Sequence, residues 1–408
     1  MRTILLLIHL ILLAALPSIA QQTTTITGKV TANGNGNPIA AASVVADDGR
    51  TATVTNEDGL FSLKVPAPTR HVQVSCLGYA TRTVEVPADG RALNIKLHAT
   101  AVTLNEILVA DAEDVLRLAI NNIPQNYAPQ PLQQQCFYRE TTRKGRKYIY
   151  VAEAITDMYK SPYSKGIHQD RVAIRKARRL VSTQASDTLG AKIAGGPVTP
   201  VNIDIVKNRD YLFSEELLAF YSFSMRPAPM SDGRAQVVVT IKPKRAADFA
   251  LLMGDFYIDT ETLAITHIDL ELDMSNRDKA TQFMLESKPL GVRFKPIALE
   301  IHINYKSDAA GKLSLNYIRT DVSFRCEWKR KLFASPYVVT SEMVVTDETT
   351  ADVQPIKGRS AFRSREALYD RVEYFSDPMF WKQYNIIEPS HSLEKGIEGF
   401  IKNIRKHQ

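Results

Sequence analysis

The stretch of this sequence that decides the fold lies between Gly28 and Tyr79 and contains GKV (28–30), PIAAASV (38–44), TNEDGLFSL (55–63) and VQVSCLGY (72–79). Turn-forming Asn-Gly or Asp-Gly pairs surround these segments at 33–34, 48–49, 58–59 and 89–90. Glycine adopts positive φ at low steric cost, so such pairs are typical of tight turns between strands. The pattern predicts short strands at 25–30, 42–46, 60–65, 72–76, 83–86 and 93–97, which together indicate a small antiparallel β-sandwich.

Several of these segments, 28–30, 38–39, 42–44, 55–63 and 77–79, follow one another as they do in the carboxypeptidase-regulatory-like domain. Residues 26 to about 98 therefore resemble that domain, which implies a transthyretin-like or immunoglobulin-like sandwich. The same module is found at the N-terminus of TonB-dependent receptors and related exported proteins of Gram-negative envelopes. The resemblance implies an interaction and folding module and assigns no catalytic activity, because function depends on sites more than on folds.

The N-terminal residues have the layout of a secretory signal peptide, with Arg2, an apolar stretch at 4–16 and the small-residue exit Ser18-Ile19-Ala20. An uncleaved anchor would need roughly 20 apolar residues, whereas this run is shorter and is interrupted at Pro17. We therefore expect residues 1–20 to be removed. The mature protein is then expected in the periplasm or in association with the outer membrane.

The 408-residue chain has 51 Lys and Arg against 44 Asp and Glu, a formal charge of +7. Nucleic acid is an implausible partner for an exported chain, whatever its charge. Basic clusters at 143–147, 175–179 and 329–331 could contact anionic lipid, but the sequence favours an ordinary solvated surface.

Three cysteines, Cys76, Cys136 and Cys326, cannot all pair within one molecule. Cys76 and Cys326 share the strand parity of apolar neighbours such as Val74 and Phe324, so they fall on apolar faces. Three buried thiols are the favoured interpretation, and one disulfide formed in an oxidising compartment is the alternative.

The chain after the sandwich (22–98) divides into a linker with a helix (99–135), an antiparallel β domain (136–385) and a C-terminal helix (386–408). Asp111 can cap the linker helix and Pro124 can end it, and the Gln- and Pro-rich tract 125–135 is the expected connection. The apolar stripe of this helix consists of Val115, Leu116, Ala119, Ile120 and Ile123.

The β domain shows long segments of alternating residues, which predict antiparallel strands with one wet face in a curved sheet or half-barrel. Asp232-Gly233 predicts a hairpin turn. Two strands have clear apolar faces, one with Ile268, Leu270, Leu272 and Met274, the other with Ile297, Leu299, Ile301 and Ile303. Residues 254–265 resemble a hairpin of lipoprotein-carrier and sigma-regulator sensor domains, and 136–140, 195–197 and 380–389 resemble segments of uncharacterised exported proteins that carry the same N-terminal module.

The tail from 390 to 408 is predicted to be an amphipathic helix, with Leu393, Ile397, Phe400, Ile401 and Ile404 on one face. Packing of this face against the protein's own β domain is favoured. The alternative is a peripheral contact with a membrane surface, for which Lys395, Lys402, Arg405 and Lys406 would be suited.

Candidate metal sites are weak. His391 and Glu394 have the H-x-x-E zinc spacing, but a mononuclear zinc site needs a third protein ligand and only His407 follows. A second set comprises His267, Asp269, Glu271 and Asp273 on one strand face, with Glu300 and His302 on another strand. Alternating polar residues on an exposed sheet face would look identical, and this is the preferred interpretation.

Two further groups have structural explanations that we favour over functional ones. Tyr138, Arg139 and Glu140 could line a cavity, but a strand pair with an internal salt bridge is the plainer account. Phe380, Trp381 and Tyr384 are expected to fix the C-terminal segment to the core, with a sugar-binding platform as the alternative.

The leading hypothesis is a non-enzymatic envelope protein whose β domain binds an acyl chain or a polypeptide, such as an outer-membrane receptor. The sequence assigns no catalytic residue, metal or cofactor, and it leaves the ligand-binding residues unknown. The alternatives are an envelope hydrolase with a non-standard site and a structural spacer. An apolar cavity would favour binding, clustered titratable groups in a cleft would favour an enzyme, and the lack of a sizeable cavity would favour a spacer.

Overall fold

A computed structural model describes residues 23–100, 111–182, 184, 194–231, 233–285, 291–328, 334–371, 381 and 383–405. The signal peptide predicted at residues 1–20 lies outside these ranges. Within them the chain is mainly β, with two small sheets at the N-terminus, one ten-stranded sheet and a few short helices.

The N-terminal unit is the predicted sandwich. Its strands are β1 (Thr23–Ala32), β2 (Ser43–Ala46), β3 (Ala52–Val54), β4 (Leu60–Pro66), β5 (His71–Ser75), β6 (Arg82–Glu85) and β7 (Leu93–Leu97). One sheet has the order β4-β1-β7 and the other the order β3-β2-β5-β6. The six strands expected from sequence are present, and the three-residue β3 is an addition, since so short a segment gives little alternation to detect.

The pairing within the sandwich departs in one place from a fully antiparallel arrangement, because β1 and β7 run parallel. The Asp-Gly turn at 58–59 has a strict requirement for glycine. Gly59 has a φ of +75°, and a Cβ there would lie 2.4 Å from the carbonyl oxygen of Val30. This close approach joins the turn to the C-terminal part of β1, whose buried residue Val30 belongs to the sandwich core.

The linker contains helix α1 (Ala112–Asn121), and the side chain of Asp111 accepts a hydrogen bond from the backbone amide of Glu113 as predicted. The helix ends before Pro124, which instead lies in a second short helix, α2 (Ile123–Asn126). Proline suits the first turn of a helix because the amides there have no intrahelical acceptor. The next strand starts at Leu132, so Gln133–Gln135 belong to that strand and not to the connection.

The second unit is one antiparallel sheet of ten strands. They are β8 (Leu132–Lys144), β9 (Lys147–Lys160), β10 (Arg171–Val181), β11 (Tyr221–Ser231), β12 (Arg234–Pro243), β13 (Leu252–Asp259), β14 (Ile265–Leu272), β15 (Val292–Ser307), β16 (Leu313–Trp328) and β17 (Ser335–Thr349). The spatial order is β10-β9-β8-β17-β16-β15-β14-β13-β12-β11. The first and last strands of this unit, β8 and β17, therefore pair at an internal seam.

Two details of the sheet test the sequence predictions. The 232–233 hairpin joins β11 to β12, with Ser231 paired to Arg234 and Gly233 at a φ of +74°. Ile297 is 48% exposed, so its predicted place on the buried face is wrong. A β-bulge between Pro296 and Ala298 interrupts the alternation there, whereas Leu299, the next apolar position, is buried as predicted.

One face of the ten-stranded sheet is covered by the chain's own helices and loops. Because β10 and β11 lie at opposite edges, the chain between them must cross the sheet. This crossover carries α3 (Val198–Asn202) and α4 (Glu215–Leu218) and packs with α1 in the largest apolar core, to which it contributes Val201, Ile205, Val206, Phe213 and Leu218. Two other short helices are α5 (Arg277–Met284) and α6 (Leu368–Arg371).

The opposite face, predicted to be wet, is covered over part of its area by the sandwich, by Trp381 and by residues 383–389. The contact is an apolar cluster in which Phe137, Ile155, Tyr317 and Val344 of the sheet meet Val54, Trp381 and Ile387. The sandwich and the sheet are therefore packed against each other. We refer to this side as the sandwich-covered face.

The terminal helix α7 (His391–Arg405) packs against β9 and β10. Leu393 and Phe400 are each 4% exposed and form a cluster with Val151 and Leu180. The favoured docking against the β domain is confirmed. Ile397 and Ile401 of the same face are only half-buried, and the alternative of a peripheral contact with a membrane surface stays a prediction.

The three cysteines are free thiols, with Cys136 and Cys326 buried and Cys76 half-buried. Burial raises the pKa of Cys136 to about 12 and that of Cys76 to about 11, so both are protonated at neutral pH. None of the helices in the described ranges is long and apolar enough to cross a membrane.

Candidate functional site

A polar pocket lies where the sandwich, the sandwich-covered face of the sheet and the C-terminal segment meet. The sandwich contributes residues 40–41 and 55–57, the sheet contributes side chains of β8, β9, β16 and β17, and the tail contributes residues 387–393. Its volume is about 50 Å³, enough for a few water molecules, since one water needs roughly 10–15 Å³ on this measure. The pocket therefore fits a small polar group and not a whole acyl chain.

The floor of the pocket is a buried ion network around Arg139. This guanidinium is 3% exposed and donates to Glu153 at 2.8 Å, to Glu342 at 3.1 Å and to the carbonyl oxygen of Ile387 at 2.6 Å. The second carboxylate oxygen of Glu153 accepts from Arg178 at 2.6 Å and from the indole nitrogen of Trp381 at 2.9 Å. These six groups connect four strands, β8, β9, β10 and β17, to the tail.

The charge of Glu153 is fixed by this network. Burial alone would raise the pKa of a carboxyl group, but the guanidinium groups of Arg139 and Arg178 outweigh it and hold the pKa of Glu153 at about 2. Glu153 is therefore ionised at every physiological pH. The negative charge of Glu153 is therefore a permanent part of the network at neutral pH.

One wall of the pocket is formed by Arg319, whose charge is also neutralised by acidic residues. It donates to Asp321 at 2.6 Å and lies 3.3 Å from Glu57 of the sandwich. The hydroxyl group of Tyr317 donates to Glu342 at 3.1 Å. The contact between Arg319 and Glu57 joins the sheet to the sandwich, and the other two lie within the sheet.

The third arginine of the pocket differs from the other two. Arg143 is half-buried, and its guanidinium carbon lies 5.8 Å from the ring centre of Tyr148. Among the residues that the structure describes, no carboxylate forms an ion pair with it. Arg143 is thus a cation in the pocket whose charge is not already compensated by an ion pair.

Hydrogen bonds from the C-terminal segment hold the sandwich against the sheet. The ammonium group of Lys64 donates to the carbonyl oxygens of Trp381 and Tyr384, and the side-chain amide of Asn385 pairs with the backbone of Lys64 at 2.6 and 2.9 Å. His391, at the start of α7, contacts Asp58 at 2.7 Å. The pocket therefore depends on residues far apart in sequence, from 40 to 393.

The three residues Tyr138, Arg139 and Glu140 are divided between the two faces of the sheet. Arg139 reaches the pocket, while Glu140 lies on the opposite face and accepts from the hydroxyl groups of Tyr138, at 2.8 Å, and Tyr150. Burial raises the pKa of Glu140 to about 7. The predicted strand pair with an internal salt bridge is confirmed, because Arg139 lies opposite Glu153 of β9 and pairs with it, whereas Glu140 points to the other face of the sheet.

The residues considered as zinc ligands are not brought together. His391 pairs with Asp58, and Glu394 is exposed in the first turn of α7, where a negative charge suits the helix dipole. On the other candidate face, His302 contacts Asp269 at 2.8 Å, and that hydrogen bond raises the pKa of His302. Within the described residues, no group of three or more His, Cys, Asp or Glu could hold a metal ion.

The aromatic group near the tail has the structural role that was favoured. Trp381 is buried and meets Phe137 edge to face with ring centres 6.0 Å apart. Tyr384 is half-buried and Phe380 lies outside the described residues. Trp381 therefore fixes the tail to the sheet and is not available as a sugar-stacking surface.

A second buried ion cluster, which no sequence pattern indicates, lies on the helix-covered face. Lys160 and Asp204 are both 0% exposed and form an ion pair, and Tyr305 donates to Asp204 at 2.7 Å. Nearby, the fully buried Lys207 donates to the carbonyl oxygen of Ser161 at 2.7 Å. Lysines and aspartates usually indicate surface positions, so only the tertiary structure could reveal that these are inside.

Comparison with known families identifies the first unit. Residues 26–109 match the CarboxypepD_reg-like domain. The N-terminal sandwich is a carboxypeptidase regulatory-like domain. The match covers the sandwich and extends into the linker, and the ten-stranded sheet lies beyond it.

Other comparisons are distant. No curated protein gives a significant match. Among solved structures, lipovitellin aligns at 9% identity over 63% of this chain and 29% of its own, with a TM-score of 0.26. A DUF1329 family protein from Desulfovibrio piger aligns at 9% identity over 58% and 94%, with a TM-score of 0.22. A Bacteroides fragilis protein of unknown function aligns at 11% identity over 80% and 98%, with a TM-score of 0.16. Likenesses at these scores carry no argument about function.

Proposed function

We propose that this protein is a non-catalytic binding protein of the bacterial envelope, and that the pocket between sandwich, sheet and tail is its ligand site. The observation that carries the proposal is the pocket's construction from three separate parts of the chain, with Arg139, Arg143 and Arg319 from the sheet facing it. Sites for whole small molecules are usually larger and mostly apolar, so a pocket of this size and polarity suits one polar group of a larger ligand. The export signal predicted at residues 1–20 supports the location.

The ligand we propose is polar, such as a segment of an outer-membrane receptor or another polypeptide. The apolar face of the ten-stranded sheet, where an acyl chain would be expected, is filled by the crossover residues and by α1. The pocket on the opposite face is lined mainly by charged and hydroxyl-bearing side chains, with Ile387 and Leu393 among its few apolar groups. Burying an acyl chain there would leave polar groups without partners, which costs free energy.

The hydrolase alternative has one observation in its favour, the pKa of about 7 for Glu140, since perturbed carboxyl groups often mark active sites. However, Glu140 is 1% exposed and lies on the face opposite the pocket, between two tyrosine hydroxyl groups. A general base must reach its substrate within hydrogen-bonding distance. We therefore assign Glu140 to the core and not to catalysis.

The proposal is tested with a substitution that fills the pocket from outside. Ala40 is exposed and lines the pocket, so Ala40→Trp should block it without disturbing the core. Ala88→Trp, at an exposed turn of the same sandwich, is the matched control. The probes are acetate, inorganic phosphate, methylammonium, dodecanoate and short acetylated peptides, each measured by saturation-transfer NMR.

We expect at least one polar probe to bind the wild type and the Ala88→Trp variant, and to be lost with Ala40→Trp. The pocket is not the ligand site if Ala40→Trp binds the same probes as the wild type. It is also not a ligand site if none of the polar probes binds the wild type.

A further inference from the structure

We propose that the pocket takes the C-terminal carboxylate of a polypeptide, with Arg143 as its counter-ion. This inference rests on the proposed function and specifies its ligand. It requires an available cation, a geometry that holds that cation in place, and a space and rim suited to a peptide end.

Among the charged groups that line the pocket, Arg143 is the cation available to a ligand. Arg139 is neutralised by Glu153 and Glu342, and Arg319 by Asp321 and Glu57. Arg143 has no ion pair among the described residues, and it is enclosed enough that an incoming anion would be partly removed from water. Hydrogen bonds between ionised groups are about twice as strong as those between neutral ones.

Arg143 is also held in place before any ligand arrives. Its guanidinium group lies over the ring of Tyr148, and Tyr148 is in turn packed against α7 at Gly396. A Cβ at Gly396 would lie 2.9 Å from the Tyr148 ring, so glycine is what permits this contact. An arginine with a fixed planar fork loses little conformational entropy on binding, which favours two-oxygen partners such as carboxylate.

The acids around the pocket select among anions. Glu57, Glu342 and Glu388 also line it, so a dianion such as phosphate would be repelled more strongly than a monoanion. The ammonium group of Lys64 interacts electrostatically with the carboxylate of Glu388. This leaves Arg143 as the principal attraction for an anion that enters the pocket. A single carboxylate matches this balance of charges.

The size of the pocket and the nature of its rim favour a peptide end. A volume of about 50 Å³ accommodates an anionic group but not the rest of its molecule. The remainder must lie across the rim, where the carboxylate of the exposed Glu57 can accept a hydrogen bond from a peptide amide. A fatty acid would bring the same carboxylate but would leave its chain on a polar surface, so it is disfavoured.

The experiment uses an equimolar library of N-acetylated tetrapeptides with free C-termini, the same library with C-terminal amides, and dodecanoate. Affinity-selection mass spectrometry measures the amount of each that the mature protein retains. We expect the free-acid library to be retained at least tenfold more than the amides. Retention should be lost in Arg143→Gln and kept in Arg325→Gln, which alters an exposed strand arginine outside the pocket.

Each outcome separates this inference from the proposed function. If Ala40→Trp abolishes retention while amides are held as well as acids, the pocket binds ligands but the carboxylate inference is overturned. Preferential retention of dodecanoate overturns the polypeptide source. If Arg143→Gln proves unfolded by circular dichroism, Arg143→Lys replaces it: this variant keeps the charge but loses the planar fork, and unchanged retention would overturn the role given to that fork.

Discussion

Replacing Glu153 with glutamine should destabilise the protein by about 3 to 5 kcal/mol at pH 7, because removing one partner of a buried ion pair leaves the other charge uncompensated. Glu153 is 1% exposed and holds Arg139, which is 3% exposed, and Arg178. Glutamine has nearly the same shape but no charge. The cost therefore comes from the arginines that remain and not from a cavity.

The pKa of Glu153 gives an independent estimate of the same quantity. A pKa of about 2 in place of 4.5 corresponds to roughly 3 kcal/mol of stabilisation of the charged form, since one pKa unit is about 1.4 kcal/mol. The folded-state pKa is lower than the unfolded one, so this stabilisation is complete above pH 4.5 and is lost as the pH falls towards 2. The glutamine variant should lack this component of the acid sensitivity.

Urea unfolding followed by tryptophan fluorescence measures both effects at pH 7 and pH 3. The chain has two tryptophans, and one of them, Trp381, donates to Glu153 and so reports on this network directly. Glu261→Gln, at an exposed turn residue, is the control and should change stability by less than about 0.5 kcal/mol. A loss below about 1 kcal/mol for Glu153→Gln, or an acid sensitivity equal to that of the wild type, would refute the account of this network.

Three further predictions concern other parts of the fold. Burial raises the pKa of Glu140 from 4.5 to about 7, so its ionisation lowers stability as the pH rises through that range. Glu140→Gln should therefore flatten the dependence of the melting temperature on pH between pH 5 and 8, and an unchanged dependence would contradict this. Gly254→Ala should lower the free energy of unfolding by about 3 kcal/mol or more, because its Cβ would lie 2.1 Å from the carbonyl oxygen of Asp269. A urea midpoint equal to that of the wild type would rule out this contact. Phe400→Ala should lower the free energy of unfolding by about 3 to 5 kcal/mol and make α7 accessible to protease. If residues 391–405 resist proteolysis as well as they do in the wild type, other contacts hold the helix.

Local signals in the sequence predicted the sandwich well, because each Asn-Gly or Asp-Gly pair acts within a few residues. The same logic failed at Ile297, where a single bulge reversed the face to which the side chain points. Alternation tells which residues share a face only while the strand register is uninterrupted, and it carries no information about partners on other strands.

The candidate site could not be predicted in this way. The sequence marks Arg139 as a polar residue that could line a cavity, but it marks Arg143 only as part of a basic cluster. Lys160 and Asp204 carried no signal of burial. A charged residue at the surface and one buried in an ion pair look the same in sequence, since the partners are brought together only by folding.

The sequence alone determined two successive β units, the turns of the first, the capped linker helix and the amphipathic tail, because these depend on periodicity and on residues close along the chain. The tertiary structure decided what covers each face of the ten-stranded sheet and which charges meet. Arg139 pairs with Glu153 of β9 and Glu342 of β17, which lie 14 and 203 residues away along the chain. Strand alternation sets the side to which a residue points, but the pairing of β8 with β17 and the docking of the sandwich set what it meets there.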